Sequence, residues 1–230
     1  DTAYESAISL NNKGIKVEAI VDIRENPNSE FTKGAENLGI KIYRNYTIVD
    51  THGYKKLNKI SIMELSKDGQ SFANSNIITL DCDCLGMAGG WTPAVHLFTQ
   101  SGGKLKFRDE DQVFIPNKYP SDQISVGSCN GDFELDEIIN NTSKSLKEFF
   151  SIDQTDFDNL DVQCPKDKEI RNIWLLPSNK VLGKTKPFVD YQNDATAKDI
   201  KLALREGFKS IEHVKRYTTT GMGTDQGKLG

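Results

Sequence analysis

The stretch Val17-Glu18-Ala19-Ile20-Val21-Asp22 decides the fold of this 230-residue chain. A short apolar run rich in β-branched residues that ends on an acidic residue is typical of a buried strand. Helical periodicity precedes this run over residues 3–12 and follows it over residues 30–38. A further strand is predicted over residues 40–43. Alternating helices and strands favour an α/β fold with a parallel sheet.

An antiparallel β-meander is predicted next. Residues 46–50 and 57–65 read as strands about the turn Thr51-His52-Gly53-Tyr54, and residues 76–85 form a further strand. A glycine-rich turn then leads into a predicted helix over residues 94–99, with Thr92 as N-cap and Pro93 at its first position. This order of elements is typical of a Rossmann-type dinucleotide-binding domain.

The rest of the chain divides at a segment rich in Asp and Gln. Before it come predicted strands at 104–107, 113–116 and 124–128 and a long helix at 133–150. After it, short extended pieces at 173–176 and 188–189 precede helices at 195–206, capped by Thr196 and Asp199, and at 210–217. We therefore predict a dinucleotide-binding domain over 1–152, a linker over 153–168 and a small helical module over 169–230.

Composition excludes several classes of protein. The chain has 29 basic and 33 acidic residues, which gives no footprint for nucleic acid. Its sequence contains no apolar run of the roughly 18 residues that a membrane helix needs. Four cysteines are too few for a disulfide scaffold. A cytoplasmic location is expected.

The first residues indicate a piece of a larger protein. The chain opens Asp1-Thr2-Ala3-Tyr4, without a methionine, and helical periodicity begins almost at once. No signal-peptide pattern follows. We therefore expect an N-terminally truncated domain whose usual Gly-x-Gly-x-x-Gly motif lies upstream of Asp1.

Metal ligands and catalytic residues are not indicated. Cys82 and Cys84 are two residues apart on a predicted strand. Residues at this spacing share a face of the strand, so both thiols are expected to point into one packed face. The histidines at 52, 96 and 213 share no spacing with a nucleophile or an acid. We predict no metal site and assign no catalytic residue.

Asp22 is the first candidate cofactor contact. An acid at the end of the second strand of a dinucleotide-binding fold accepts hydrogen bonds from the adenosine ribose hydroxyls. Arg24 is close enough to compete for a 2′-phosphate, so the choice between NAD and NADP stays open. A solvated aspartate at the start of a turn is the alternative for this residue.

Two glycine turns supply the other candidate contacts. The turn Gly89-Gly90-Trp91-Thr92-Pro93 permits close approach of a ligand to the backbone, and a helix beginning there would offer N–H groups to an anion. A tight turn with Trp91 as a packing residue is the alternative. The second turn contains Gly127, Ser128 and Gly131 and resembles the second glycine turn of disulfide-reductase-like flavoproteins. Ser128 stands where those proteins carry an aspartate that reaches the flavin ribityl chain, a departure that argues against flavin binding here and leaves room for a dinucleotide.

Several longer motifs resemble the alpha subunits of heterotetrameric sarcosine oxidases. They cover nearly the whole chain and are Asp1-Thr2-Ala3-Tyr4 and residues 89–98, 188–200, 205–208, 212–219 and 221–228. The resemblance implies an internal fragment of a longer subunit, with a disulfide-reductase-like dinucleotide-binding domain followed by the small module.

The activity implied is oxidative demethylation of sarcosine to glycine, an oxidation of a CH–NH group, with transfer of the one-carbon unit to tetrahydrofolate. This chain would bind NAD. The holoenzyme would use FAD and FMN and would bind tetrahydrofolate in a C-terminal domain that is missing from this chain. The alpha subunit would assemble with beta, gamma and delta subunits. The amine is oxidised on the beta subunit, so the fragment alone is expected to be inactive.

The small module resembles bacterioferritin-associated ferredoxins, which hold a [2Fe–2S] cluster on four cysteines. The matching positions here are Asp190, Gln192, Asp225 and Gly230, none of which is a thiol. The resemblance therefore implies a ferredoxin-like fold without its cluster. Two alternatives remain: a subunit of a related opine-type, proline-type or cyanide-forming amine oxidoreductase, and a non-catalytic scaffold with a degenerate nucleotide site. A stand-alone NAD-dependent dehydrogenase is disfavoured because no acid–base pair is evident.

Overall fold

A computed structural model describes residues 1–120, 122–154, 160, 162, 164, 169–178 and 185–227. The chain divides into two compact units, the first formed by residues 1–64 and 76–172 and the second by residues 65–75 and 173–230. Among the described residues, no helix is both long enough and apolar enough to cross a membrane. Most of the predicted linker lies outside the described residues, so the linker and the predicted domain limits stay predictions.

The first unit begins with the predicted α/β arrangement. Its elements are α1 (Thr2–Asn12), β1 (Ile20–Asp22), α2 (Glu30–Asn37) and β2 (Ile42–Arg44). β1 and β2 are parallel, with Ile20 opposite Ile42 and Asp22 opposite Arg44. A core of buried apolar side chains from α1, α2 and the strands, including Tyr4 and Ile20, joins these elements. Both strand carboxyl ends therefore lie at one edge of the sheet.

The predicted meander is also present. It consists of β3 (Tyr46–Gly53), β4 (Leu57–Glu64) and β5 (Ile78–Asp81), antiparallel in the order β3-β4-β5. Ile60 and Ile62 on β4 are buried at its centre. β5 ends at Asp81, so the alternation predicted for both thiols stops early. Cys82 packs against this core, but Cys84 is exposed, and the prediction for Cys84 is wrong.

Two local predictions after the meander are wrong. Helix α3 (His96–Gln100) begins with Val95 as its N-cap, not Thr92. The Val95 N–H donates to the Pro93 carbonyl at 3.0 Å, which turns the chain before the helix can start. Residues 124–126 are not a strand, and Gly127–Asn130 is a 3-10 helix. Gly127 has φ +70°, a left-handed conformation that interrupts an extended chain.

The rest of the first unit is a hairpin and a long helix. Strands β6 (Lys104–Arg108) and β7 (Val113–Lys118) pair antiparallel, and α4 spans Leu135–Phe150. These elements match the predicted segments within about two residues, the usual scatter at element ends.

Gly103 tests the packing between α3 and this hairpin. A Cβ at Gly103 would lie 2.4 Å from the ring of Phe98, which is buried and makes an edge contact with Tyr119. We expect Gly103→Ala to lower the free energy of unfolding by about 1–3 kcal/mol, because the ring must shift. Chemical denaturation of both variants measures this. Gly86→Ala is the control, since in the described part of the chain its Cβ would meet no atom within 4 Å. Equal stability of the two variants would contradict the packing described.

The second unit contains a small hairpin and two helices. Its elements are β8 (Phe188–Asp190), β9 (Ala195–Thr196), α5 (Ala197–Arg205) and α6 (Ile211–Thr218). The predicted cap of α5 is present: the Thr196 N–H donates to the Asp199 carboxylate at 2.8 Å, and the helix ends before Gly207. β8 pairs with β9, and residues 173–176 form no strand.

Candidate nucleotide-binding site

Asp22 lies at the carboxyl end of β1 and is 9% exposed. The hydroxyl of Tyr4, on α1, donates to Asp22 Oδ2 at 2.9 Å. The backbone N–H of Arg24 donates to Oδ1 at 2.9 Å, and its guanidinium donates through Nη2 to Oδ2 at 2.9 Å and through Nε to both oxygens at 3.0 and 3.2 Å. The aspartate predicted to contact ribose is thus held between a helix and the turn that follows its strand.

These contacts fix the protonation states of both acidic groups. Burial acts to raise the pKa of Asp22, but the hydrogen bonds and charge of Arg24, helped by the Tyr4 hydroxyl, lower it overall. Burial, and then the charge of Asp22, raise the pKa of Tyr4. At neutral pH Asp22 is therefore a carboxylate that only accepts hydrogen bonds, and Tyr4 is a donor.

The first glycine turn lies beside the start of α1. The indole N–H of Trp91 donates to the Thr2 hydroxyl at 3.3 Å. Thr2 follows Asp1, whose carboxylate contacts Arg24 Nη2 at 3.1 Å. The turn and Asp22 therefore approach the same end of α1.

Within that turn the glycines leave open space. A Cβ on Gly89 or Gly90 would meet no heavy atom of the described residues within 4 Å, and Gly90 has φ +99°. Thr92 is exposed and Pro93 is buried. Pro93 therefore anchors the turn, while the two glycines leave their backbone accessible to a ligand.

The second glycine turn is packed against other elements. A Cβ on Gly131, which has φ +86°, would lie 2.8 Å from Ile115 and 2.9 Å from Arg108 Nη2. The same Nη2 donates to the Gly131 carbonyl at 2.8 Å, and the Gly131 N–H donates to the Ser128 carbonyl at 3.1 Å. A Cβ on Gly127 would meet Ile138 of α4 at 3.7 Å. In the described part of the chain these contacts do not join the turn to Asp22. Close packing accounts for Gly131, and the left-handed φ of +70° accounts for Gly127.

Three residues around the β1 turn were missed by the sequence reasoning. The helical periodicity over residues 3–12 predicts only an apolar contact for Tyr4, whereas its hydroxyl donates to Asp22. The Glu169 carboxylate accepts from the Glu25 N–H at 3.3 Å, and Arg171 Nη1 donates to the Ile23 carbonyl at 2.6 Å. The last two contacts join positions more than 140 residues apart, so no local pattern could reveal them.

In the second unit, the positions that match the cluster cysteines of the ferredoxins form a polar network. Asp190, 1% exposed, accepts from the Gly221 N–H at 2.7 Å and from the Gln192 N–H at 2.8 Å. The Gln192 side-chain oxygen accepts from the Asp225 N–H at 3.1 Å. Three of the four positions thus join the β8–β9 turn to the loop after α6, and Gly230 lies outside the described residues. Among the described residues, no group of three or more His, Cys, Asp or Glu could hold a metal ion.

Comparison with known proteins identifies relatives along the whole chain. It is 32% identical to sarcosine oxidase subunit alpha of Rhizobium meliloti (strain 1021), covering 100% of this chain and 22% of that subunit. It is 28% identical to the subunit of the same name from Corynebacterium sp. (strain P-1), covering 99% of this chain and 24% of that subunit. The chain thus spans less than a quarter of the length of these relatives. Residues 184–230 match the sarcosine oxidase A3 domain.

A solved structure shares the fold. The L-proline dehydrogenase from P. horikoshii superposes with a TM-score of 0.55 at 21% identity, covering 95% of this chain and 43% of that one. The likeness supports the mixed α/β fold of the chain. The resemblance to sarcosine oxidase alpha subunits inferred from the motifs is confirmed by the curated relatives.

Proposed function

We propose that this chain, a homologue of sarcosine oxidase alpha subunits along its whole length, is the NAD-binding part of such a subunit. The complete enzyme would be a heterotetramer that oxidises the CH–NH group of sarcosine and passes the one-carbon unit to tetrahydrofolate. Two curated alpha subunits that align with 99–100% of the chain support this proposal.

One observation carries the NAD site: Asp22, at the carboxyl end of β1, and the Gly89–Gly90 turn both approach the start of α1. Ligands of open α/β sheets bind outside the carboxyl ends of the strands. The start of a helix presents N–H groups and a positive dipole end, which favour a pyrophosphate. The residues present therefore fit a dinucleotide.

Each part of the site has a separate task. The Asp22 carboxylate would accept from the ribose hydroxyls, and the α1 start would bind the pyrophosphate. Gly89 and Gly90 would leave room for the pyrophosphate, because a Cβ at either position would meet no atom of the described residues within 4 Å. NAD supplies a hydride acceptor when bound, but we assign it a structural or regulatory role, since amine oxidation would take place at a flavin of the beta subunit.

The second unit would contribute to a subunit interface near a second flavin. A [2Fe–2S] cluster does not fit it. Asp190, Gln192 and Asp225 provide no thiolate. Their polar groups instead form hydrogen bonds between the β8–β9 turn and the loop after α6.

Gly90→Val tests the glycine turn. We expect the variant to bind NAD at least about tenfold more weakly, because a branched side chain would occupy open space at a left-handed backbone position. Calorimetric titration of the intact protein, with any subunits that copurify, measures the affinity. Gly14→Val is the control, since Gly14 has φ +81° and equally open surroundings at the other end of α1. Equal affinities of both variants would place NAD elsewhere.

A non-catalytic scaffold is the second candidate. It is favoured by one observation, the occupation of the Asp22 carboxylate by Tyr4 and Arg24. Absence of saturable NAD binding both in the wild type and in an Arg24→Ala variant, in which the Asp22 carboxylate is unblocked, would support this candidate over the first.

A further inference from the structure

We infer that Arg24 is an internal competitor of NAD, whose guanidinium occupies the ribose-binding positions of Asp22 and must leave them when the dinucleotide binds. This inference rests on the NAD site proposed above. It concerns how that site is regulated and which dinucleotide it accepts.

In the structure, hydrogen-bond donors occupy all the acceptor positions of the Asp22 carboxylate. A carboxylate offers about four lone-pair positions. Four donors reach them: the Tyr4 hydroxyl, the Arg24 backbone N–H, and the Arg24 Nε and Nη2 atoms, all at 2.9–3.2 Å. A ribose hydroxyl therefore has no vacant acceptor position on Asp22 while the guanidinium is present.

Removing the guanidinium leaves an arrangement matched to a vicinal diol. Oδ2 keeps the Tyr4 hydroxyl and Oδ1 keeps the Arg24 backbone N–H, so the carboxylate stays oriented by one fixed donor on each oxygen. One position on each oxygen becomes vacant. Two neighbouring ribose hydroxyls are two donors at that spacing, whereas a 2′-phosphate is an anion that the carboxylate would repel.

The guanidinium has a second partner to which it can move. Arg24 Nη2 already lies 3.1 Å from the Asp1 carboxylate, and the Asp1 side chain is 20% exposed. An arginine released from Asp22 can therefore keep one ion pair at the outer side of the site. Exchange between the two carboxylates lowers the affinity for NAD by the fraction of molecules in which Asp22 is blocked.

The sign of the mutational effect separates this inference from simple electrostatics. Because NAD is an anion, loss of a nearby positive charge should weaken its binding. We expect instead that Arg24→Ala tightens NAD binding about tenfold, since the blocked state disappears. Arg24→Gln, which keeps more of the side chain's packing, should tighten it in the same direction, and neither should gain affinity for NADP.

The experiment is calorimetric titration of the intact protein, with any copurifying subunits, using NAD and NADP separately. Arg44→Ala is the matched control, because Arg44 lies opposite Asp22 on β2 but pairs with Glu36. Its NAD affinity should not rise. Thermal unfolding of each variant shows which of the two Arg24 variants is folded and can be interpreted.

The outcomes are separable. Wild-type binding that tightens in a folded Arg24 variant, but not in Arg44→Ala, supports the inference. So does NAD binding that appears only when Arg24 is replaced. Wild-type binding that is unchanged or weakened in both Arg24 variants overturns the inference and leaves the proposed NAD site standing. Absence of NAD binding in every variant overturns both.

Discussion

In an Asp190→Asn variant, we expect the amide protons of Gln192, Asn193 and Gly221 to exchange with solvent roughly ten- to hundredfold faster than in the wild type. The buried carboxylate accepts from all three backbone N–H groups and from the Asn193 side chain. Two donors meet at each oxygen. An asparagine replaces one oxygen with an NH2 group, so at least one pair of donors loses its acceptor.

Asp194→Asn is the matched control for this change. Asp194 lies in the same β8–β9 turn and is exposed, with φ 52°, a conformation that asparagine tolerates well. Hydrogen exchange followed by mass spectrometry resolves peptides from the turn and from the loop after α6. Equal exchange in both variants would show that Asp190 does not hold these loops together.

The same network sets a dependence on pH. The pKa of Asp190 lies below its ordinary value of 3.8, chiefly because the Gly221 N–H donates to the carboxylate. Burial acts to raise this pKa, and the Asn193 donors lower it further. A carboxylate with a lowered folded pKa contributes its full stabilisation above the unfolded pKa and loses it as the pH falls through the folded pKa. Protection of Gly221 should therefore persist below pH 3.8 before it is lost, and Asp190→Asn should remove this dependence.

Much of the fold follows from local sequence. The apolar run before Asp22 and the periodicity of α1 and α2 predict the parallel pair, because burial on both sides demands continuous apolar residues. Thr196 and Asp199 predict the start of α5, because a capping box is a short-range pattern. The start of α3 was misjudged at Thr92, since the Pro93 carbonyl bonds to Val95 instead of continuing a helix.

The candidate site was predicted only in part. Asp22 and the Gly89–Gly90 turn are recognisable as strand-end and glycine signals. The saturation of Asp22 by Tyr4 and Arg24 depends on side-chain directions that the sequence does not specify. The prediction of a cofactor contact at Gly131 stays a prediction, because a glycine that packs against Arg108 and Ile115 looks the same in sequence as one that admits a ligand.

Asp22→Ala should cause the largest loss of NAD binding, about ten- to hundredfold, because the ribose hydroxyls would lose an ionised acceptor. Asp81→Ala is the control. Asp81 also ends a strand, β5, but its carboxylate is 83% exposed and pairs with Lys59 at 3.5 Å. Its affinity for NAD should match the wild type. Unfolding temperatures of both variants separate lost binding from a lost fold, since Asp22 also orients Tyr4 and Arg24.

Calorimetric titration of the intact protein with NAD, comparing the wild type with a folded Asp22→Ala variant, is the most direct test of the proposed site. We expect saturable binding of one NAD per chain in the wild type and its loss or marked weakening in the variant. Saturable binding of equal affinity in both proteins would contradict the account, because NAD would then bind without Asp22.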